Sequence, residues 1–168
     1  DSVRITNDLP TVASAGIDIT DLCIDSVQLK PNTPTFGVGK WLVVEGFANV
    51  QGNWALDLTP GVSKLVWQIS TQSCHSIDTL VIHNNTPTAA FAGLDQPICT
   101  DTVKLQGNLA ERGIGRWELL TGTGNILDPD DPQTIVRGIG RGSNRFRWVV
   151  DNKGCTTSDD VEIANNLI

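Results

Sequence analysis

Residues 65–85, LVWQISTQSCHSIDTLVIHNN, return 81 residues later as residues 146–166, FRWVVDNKGCTTSDDVEIANN. Trp67 matches Trp148, Cys74 matches Cys155, Asp78 matches Asp159, Ile82 matches Ile163, and Asn84-Asn85 match Asn165-Asn166. An internal repeat of fixed period narrows the architectures open to a chain, because each copy must be a unit that tolerates a copy beside it.

The register extends through most of the sequence. Ala15-Gly16 matches Ala92-Gly93, Cys23 matches Cys99, and Val27 and Leu29 match Val103 and Leu105. Gly37-Val38-Gly39-Lys40-Trp41 matches Gly113-Ile114-Gly115-Arg116-Trp117. One insertion of five residues interrupts it, where residues 51–53 become 127–134 (LDPDDPQT). Two prolines and three aspartates mark that insertion as a surface loop. The expected domains are residues 8–85 and 86–168. Residues 1–7, DSVRITN, match the last segment of each copy and read as the last strand of a preceding repeat. The linkers, Asn7 to Pro10 and Asn84 to Pro87, are short and each holds a proline, which restricts the angle between modules.

Within each copy the apolar residues alternate. Trp41/Val43, Trp67/Ile69, Leu80/Ile82, Trp117/Leu119, Phe146/Trp148/Val150 and Val161/Ile163 all have the period of two that a half-buried strand requires. No segment keeps a helical period. The first copy predicts about seven strands, near residues 11–16, 26–30, 41–44, 47–50, 54–58, 64–70 and 78–83. The fold class is therefore all-β: two tandem immunoglobulin-like sandwiches of about seven strands each, with one disulfide per module.

Modules of about 80 residues are marginal on core burial alone. Repeat symmetry favours the pairings Cys23–Cys74 and Cys99–Cys155. Closing a loop of about 50 residues stabilises by about 4 kcal/mol in the chain-entropy account. A Cys74–Cys99 bond would strand the other two cysteines. Disulfides imply an extracellular, oxidising setting.

Charge excludes several partners. The net charge of −7 is spread over both halves, with 8 acids and 4 bases in residues 1–85 and 11 acids and 8 bases in residues 86–168. That balance argues against nucleic acid and anionic membrane surfaces. No apolar run is long enough to span a bilayer, so direct membrane insertion is not expected. The chain has no Met and no leader-like segment, and is read as a piece of a longer precursor.

Chemistry-bearing motifs are sparse. The glycine-rich pieces at 37–40 and 138–142 lack a G-K-[ST] ending and read as turns. His75 and His83 have no counterpart in the second copy, where Thr156 and Ala164 stand. No zinc spacing occurs. Asp128, Asp130 and Asp131 could hold calcium, although a solvated loop explains them better. No catalytic residues, cofactor or enzyme activity are expected. Four tryptophans (41, 67, 117, 148) read as core. Trp54 is the odd one; core is its simplest reading, and an exposed platform for a sugar ring is the alternative. Arg137 and Arg141, within an arginine-rich stretch, are the other speculative ligand contacts.

The string Ala92-Gly93-Leu94-Asp95-Gln96, Cys99, Leu105-Gln106-Gly107-Asn108, Gly115-Arg116-Trp117, Gly122-Thr123-Gly124, Asn144-Arg145-Phe146-Arg147-Trp148, Gly154-Cys155 and Asp159-Asp160-Val161-Glu162-Ile163 resembles the PKD-like, immunoglobulin-like repeats of large Bacteroidota cell-surface proteins. These include gliding-motility adhesins and type IX secretion substrates. The likeness covers the second module and, more loosely, the first. It implies a stalk or filament segment of an extracellular adhesin, partnered by neighbouring repeats of the same chain, with surface polysaccharide or other filament chains as further partners. It also implies O-glycosylation at Asp-Ser/Thr-apolar triplets, on Ser26, Thr79 and Thr102. The alternatives are a carbohydrate- or protein-binding module and, more weakly, an accessory domain of a secreted hydrolase.

Overall fold

The computed structural model describes residues 1–3 and 7–167, so part of the 1–7 segment lies outside the described residues. The chain forms two compact units, residues 1–85 and 86–168.

The first unit holds β1 (Ile19–Leu22), β2 (Val27–Gln28), β3 (Val38–Glu45), β4 (Asn49–Gln51), β5 (Trp54–Leu56), β6 (Gly61–Ser70) and β7 (His75–Asn84). They form two sheets, ordered β1-β7-β6-β3 and β2-β5-β4. The second unit holds β8 (Gln96–Ile98), β9 (Thr102–Lys104), β10 (Ile114–Thr121), β11 (Asn125–Ile126), β12 (Ile135–Arg137), β13 (Gly142–Asn152) and β14 (Cys155–Asn165). Its sheets are β8-β14-β13-β10 and β9-β12-β11, the same order strand for strand. This is the all-β, immunoglobulin-like arrangement that the alternating apolar pattern predicts.

Alternation decides which residues enter the cores. Along β6, Ser63, Leu65, Trp67 and Ile69 are buried, and along β13, Asn144, Phe146, Trp148 and Val150. The long hairpins β6–β7 and β13–β14 hold these residues in antiparallel register. Each core closes on a cross-strand indole pair. Trp41 lies opposite Trp67 and Trp117 opposite Trp148, with ring centroids 5.1 Å apart in both modules. Such tilted pairs add roughly 0.5–1.5 kcal/mol beyond their buried area. The indoles also demand glycine beside them. A Cβ on Gly39 would stand 2.3 Å from Trp67 Cζ2, and one on Gly115 would stand 2.1 Å from Trp148 Cζ2.

One expected strand differs. Residues 11–16 lie along β7 but do not join its ladder. The Ala13 amide donates to Ser76 Oγ at 2.9 Å and the Ala15 amide to Asp78 Oδ2 at 2.7 Å. Past Gly16, at φ +99°, the chain shifts and pairs parallel with β7 as β1, at Ile19↔Ile82. The second module repeats the device. Ala90 and Ala92 donate to Thr157 Oγ1 and Asp159 Oδ2, Gly93 has φ +91°, and β8 then pairs with β14. The matched Asp78 and Asp159 are thus clamps for the segment leading to the first strand.

Candidate functional site

The two modules differ most where the insertion stands. In the second, residues 127–134 fold back over the indole pair instead of projecting as a free loop. The Trp117 amide donates to the Pro129 carbonyl at 2.7 Å and the Gly107 amide to the Pro132 carbonyl at 2.8 Å. The Trp117 indole N–H also donates to the Pro132 carbonyl, at 3.1 Å. Asp128 Oδ1 and Asp131 Oδ1 accept amides of the loop itself, and Asp130 pairs with Arg116 at 2.9 Å. These carboxylates are engaged in shaping the turn.

The first module has no such loop, and a groove of about 350 Å³ lies there, lined by Gly39, Lys40, Trp41, Val50, Gly52, Asn53 and Trp67. The short β4–β5 turn forms one wall and the indole pair the floor. Trp67 donates its indole N–H to Asn32 Oδ1 at 3.1 Å. The buried Trp41 Nε1 has no hydrogen-bond partner among the described residues. The groove therefore offers aromatic surface, a lysine and an asparagine. A second hollow of about 610 Å³, beside Gly16, is lined mainly by apolar residues, among them Ile17, Ile19, Val27, Leu29 and Leu80, with Gln28 and Lys30 as its polar side chains.

The other predicted contacts are scattered. Trp54, on β5 of the first module, is 46% exposed, so the core reading of this residue fails. It alternates with the fully buried Ala55, which leaves its side chain on the outer face of the β2-β5-β4 sheet. Arg137 ends β12 in the second module, and Arg141 sits in the following turn; both are exposed, with no ion pair among the described residues. Arg145 and Arg147 instead share Asp160, at 3.3 and 2.6 Å. The hydrogen bond from Arg147, opposed by burial and aided by the two positive charges, holds the Asp160 carboxyl below its ordinary range. Thr79 and Thr102 are exposed and Ser26 is half-buried.

The cysteines overturn the expected pairing. Cys74 and Cys99 are free, and Cys23 and Cys155 are disulfide-bonded, so neither Cys23–Cys74 nor Cys99–Cys155 forms. The reason is geometric. Leu22 pairs with Asn84, which sets Cys23 beside the end of β7, while Cys74 immediately precedes its start. Ten residues of strand at about 3.3 Å each separate the two by roughly 33 Å, against the 7 Å or so between Cα atoms that a disulfide allows. In the second module Ile98 pairs with Asn165 and Cys155 begins β14, so Cys99 and Cys155 are as far apart. Neither core cluster contains a cysteine.

No protein-family profile and no curated protein sequence matches the chain. Among solved structures, the insect immune protein hemolin has a TM-score of 0.56 at 10% identity, over 94% of this chain and 47% of that one. Extracellular domains 3–5 of Drosophila OTK reach 0.49 at 10% identity, over 92% and 60%. The titin I-band fragment I67–I69 reaches 0.46 at 10% identity, over 93% and 65%. The chain spans about half to two thirds of the length of these proteins.

Proposed function

Taking the immunoglobulin-like fold as its premise, which the likeness to hemolin supports, we propose that this chain is a spacer from the stalk of an extracellular surface protein. The observation that carries the reading is what the two copies share. The indole pair, the Asp78 and Asp159 clamps and the buried Asn84 and Asn165 all recur, and all act within the sandwich. Where core residues differ, as at Leu65 and Phe146 or Ser63 and Asn144, both copies keep them buried. A repeated sandwich lengthens a stalk without supplying chemistry, and no enzymatic activity is assigned to it. The finer reading, a stalk repeat of a large Bacteroidota adhesin of the gliding-motility or type IX-secreted kind, rests on the sequence likeness given above. O-glycans on Thr79 and Thr102, both exposed, and on Ser26 belong to it; an intact mass equal to the bare sequence, in protein from the native organism, excludes them. A spacer shows no saturable binding to surface polysaccharides, and Trp54→Ala or Arg141→Ala changes nothing in such an assay.

A second reading is favoured by one feature, the groove of the first module lined by Trp41 and Trp67 with Lys40 and Asn53. An aromatic floor flanked by polar side chains suits a sugar ring. Saturable quenching or enhancement of tryptophan emission by a polysaccharide, lost in Lys40→Ala and Asn53→Ala, selects this reading over the spacer.

A further inference from the structure

The second module carries in its own chain something that the first lacks. Its loop, residues 127–134, covers the edge of β10, the outermost strand of its sheet. The receiving side holds the loop at three points. The outward-pointing Trp117 amide takes the Pro129 carbonyl at 2.7 Å, the Trp117 indole N–H takes the Pro132 carbonyl at 3.1 Å, and Arg116 pairs with Asp130 at 2.9 Å. A loop laid on a strand edge in this way occupies backbone groups that would otherwise stay open to another chain.

The first module has the same receiving side without the loop. Its register is equal, Trp41↔Trp67 for Trp117↔Trp148, so the Trp41 amide also points away from β6 and past the open edge of β3. No backbone carbonyl meets it among the described residues. Lys40 stands where Arg116 does, exposed and with no ion pair among the described residues. Trp41 and Trp67 repeat the indole pair, and the groove of about 350 Å³ that they line with Gly52 and Asn53 takes the place of the loop. One bond has no counterpart, because Pro31 stands where Gly107 donates to Pro132.

We propose that the first module's groove binds in trans what the second module binds in cis: an acidic, proline-containing peptide segment, with a main-chain carbonyl on the Trp41 amide and a carboxylate on Lys40. The segment comes from another protein, since the loop of each copy of this chain is engaged on its own second module. Prolines restrict the free segment and lower the entropy lost on docking. The inference goes beyond the spacer reading by giving the first module a partner.

The test titrates the isotope-labelled full chain with a synthetic peptide of residues 127–134, LDPDDPQT, and follows the backbone amide resonances. Saturable shifts of Gly39, Lys40 and Trp41 are expected, with the second module unmoved. Asp130→Asn in the peptide and Lys40→Ala in the chain should each weaken binding about threefold, as an exposed ion pair does, and together no further than either alone. Grafting residues 127–134 in place of residues 51–53 closes the groove and abolishes the shifts. Shifts that persist in the graft, that fall on the second module, or that do not saturate overturn the proposal. So does a groove that a polysaccharide saturates and the peptide does not, and only that outcome also removes the spacer reading. The Lys40→Ala and Asp130→Asn pair leaves both cores untouched and decides the matter even if the graft folds poorly.

Discussion

The indole N–H of Trp117 donates to the carbonyl of Pro132, 15 residues further along the chain, and the matching nitrogen of Trp41 has no partner among the described residues. An insertion that the sequence marks only as proline- and aspartate-rich is therefore the lid of the second module's indole pair. Replacing residues 127–134 by the Gln51-Gly52-Asn53 turn of the first module would leave three donors uncapped: the Trp117 amide, the Gly107 amide and the indole. Unsatisfied buried donors cost about 1–3 kcal/mol each, less where water enters. The urea midpoint of the second module should fall accordingly, and an unchanged midpoint would remove the loop from the account of stability.

Gly115 is held to glycine by contact, not by backbone angle. Its added Cβ would meet the Trp148 ring, which is 1% exposed and fixed against Trp117. Overpacking at a closed site costs about 1–3 kcal/mol. Gly115→Ala should lower stability by that amount, and Gly39→Ala should do so in the first module. In contrast, Gly138→Ala meets no atom within 4 Å and bears only the strain of a φ of +68°. Denaturant curves of the three variants rank these costs; equal losses at Gly115 and Gly138 would contradict the contact argument.

The strands were legible because alternation and strand burial are the same fact. Leu65, Trp67 and Ile69 are two apart in sequence and all face inward. The leading segment was misplaced because its amides bond the side chains of Ser76 and Asp78, a pairing with no apolar signature. The cysteines were misread for a different reason. A spacing of about 50 residues suits two mid-strand cysteines facing each other across a sandwich, and equally two at opposite ends of one strand. Only the register Leu22↔Asn84 separates these cases. Trp54 was indistinguishable from a core residue by type, and its exposure follows from the phase set by Ala55. The groove was not visible at all, since it is made by residues the first copy lacks.

The Asp160 pairs give the second module a pH dependence that the first does not share, Thr79 and Val66 standing where Asp160 and Arg147 do. Because the Arg147 hydrogen bond depresses the folded-state value of the carboxyl, the charged form is favoured by folding. The stabilisation is fully present above the ordinary carboxylate value of about 4 and is lost as pH falls through the depressed one. Asp160→Asn should lower thermal stability modestly at pH 7, and the gap to wild type should close towards pH 2. A gap that stays constant over that range would show that the carboxylate charge is not what matters.

Trp54 should be the tryptophan that solvent reaches most freely. It is 46% exposed, whereas Trp67, Trp117 and Trp148 are buried at 7% or less. Acrylamide should quench a distinct, red-shifted part of the emission, and Trp54→Phe should remove most of that component. The substitution fills no core position, so its effect on stability should stay within about 0.5 kcal/mol. A quenching profile unchanged by Trp54→Phe would place the accessible indole elsewhere, with Trp41 in the open groove as the next candidate. The same spectra serve the binding question. A polysaccharide that shields the quenchable component acts at Trp54 on the outer sheet, and one that shifts the remaining emission acts at the groove.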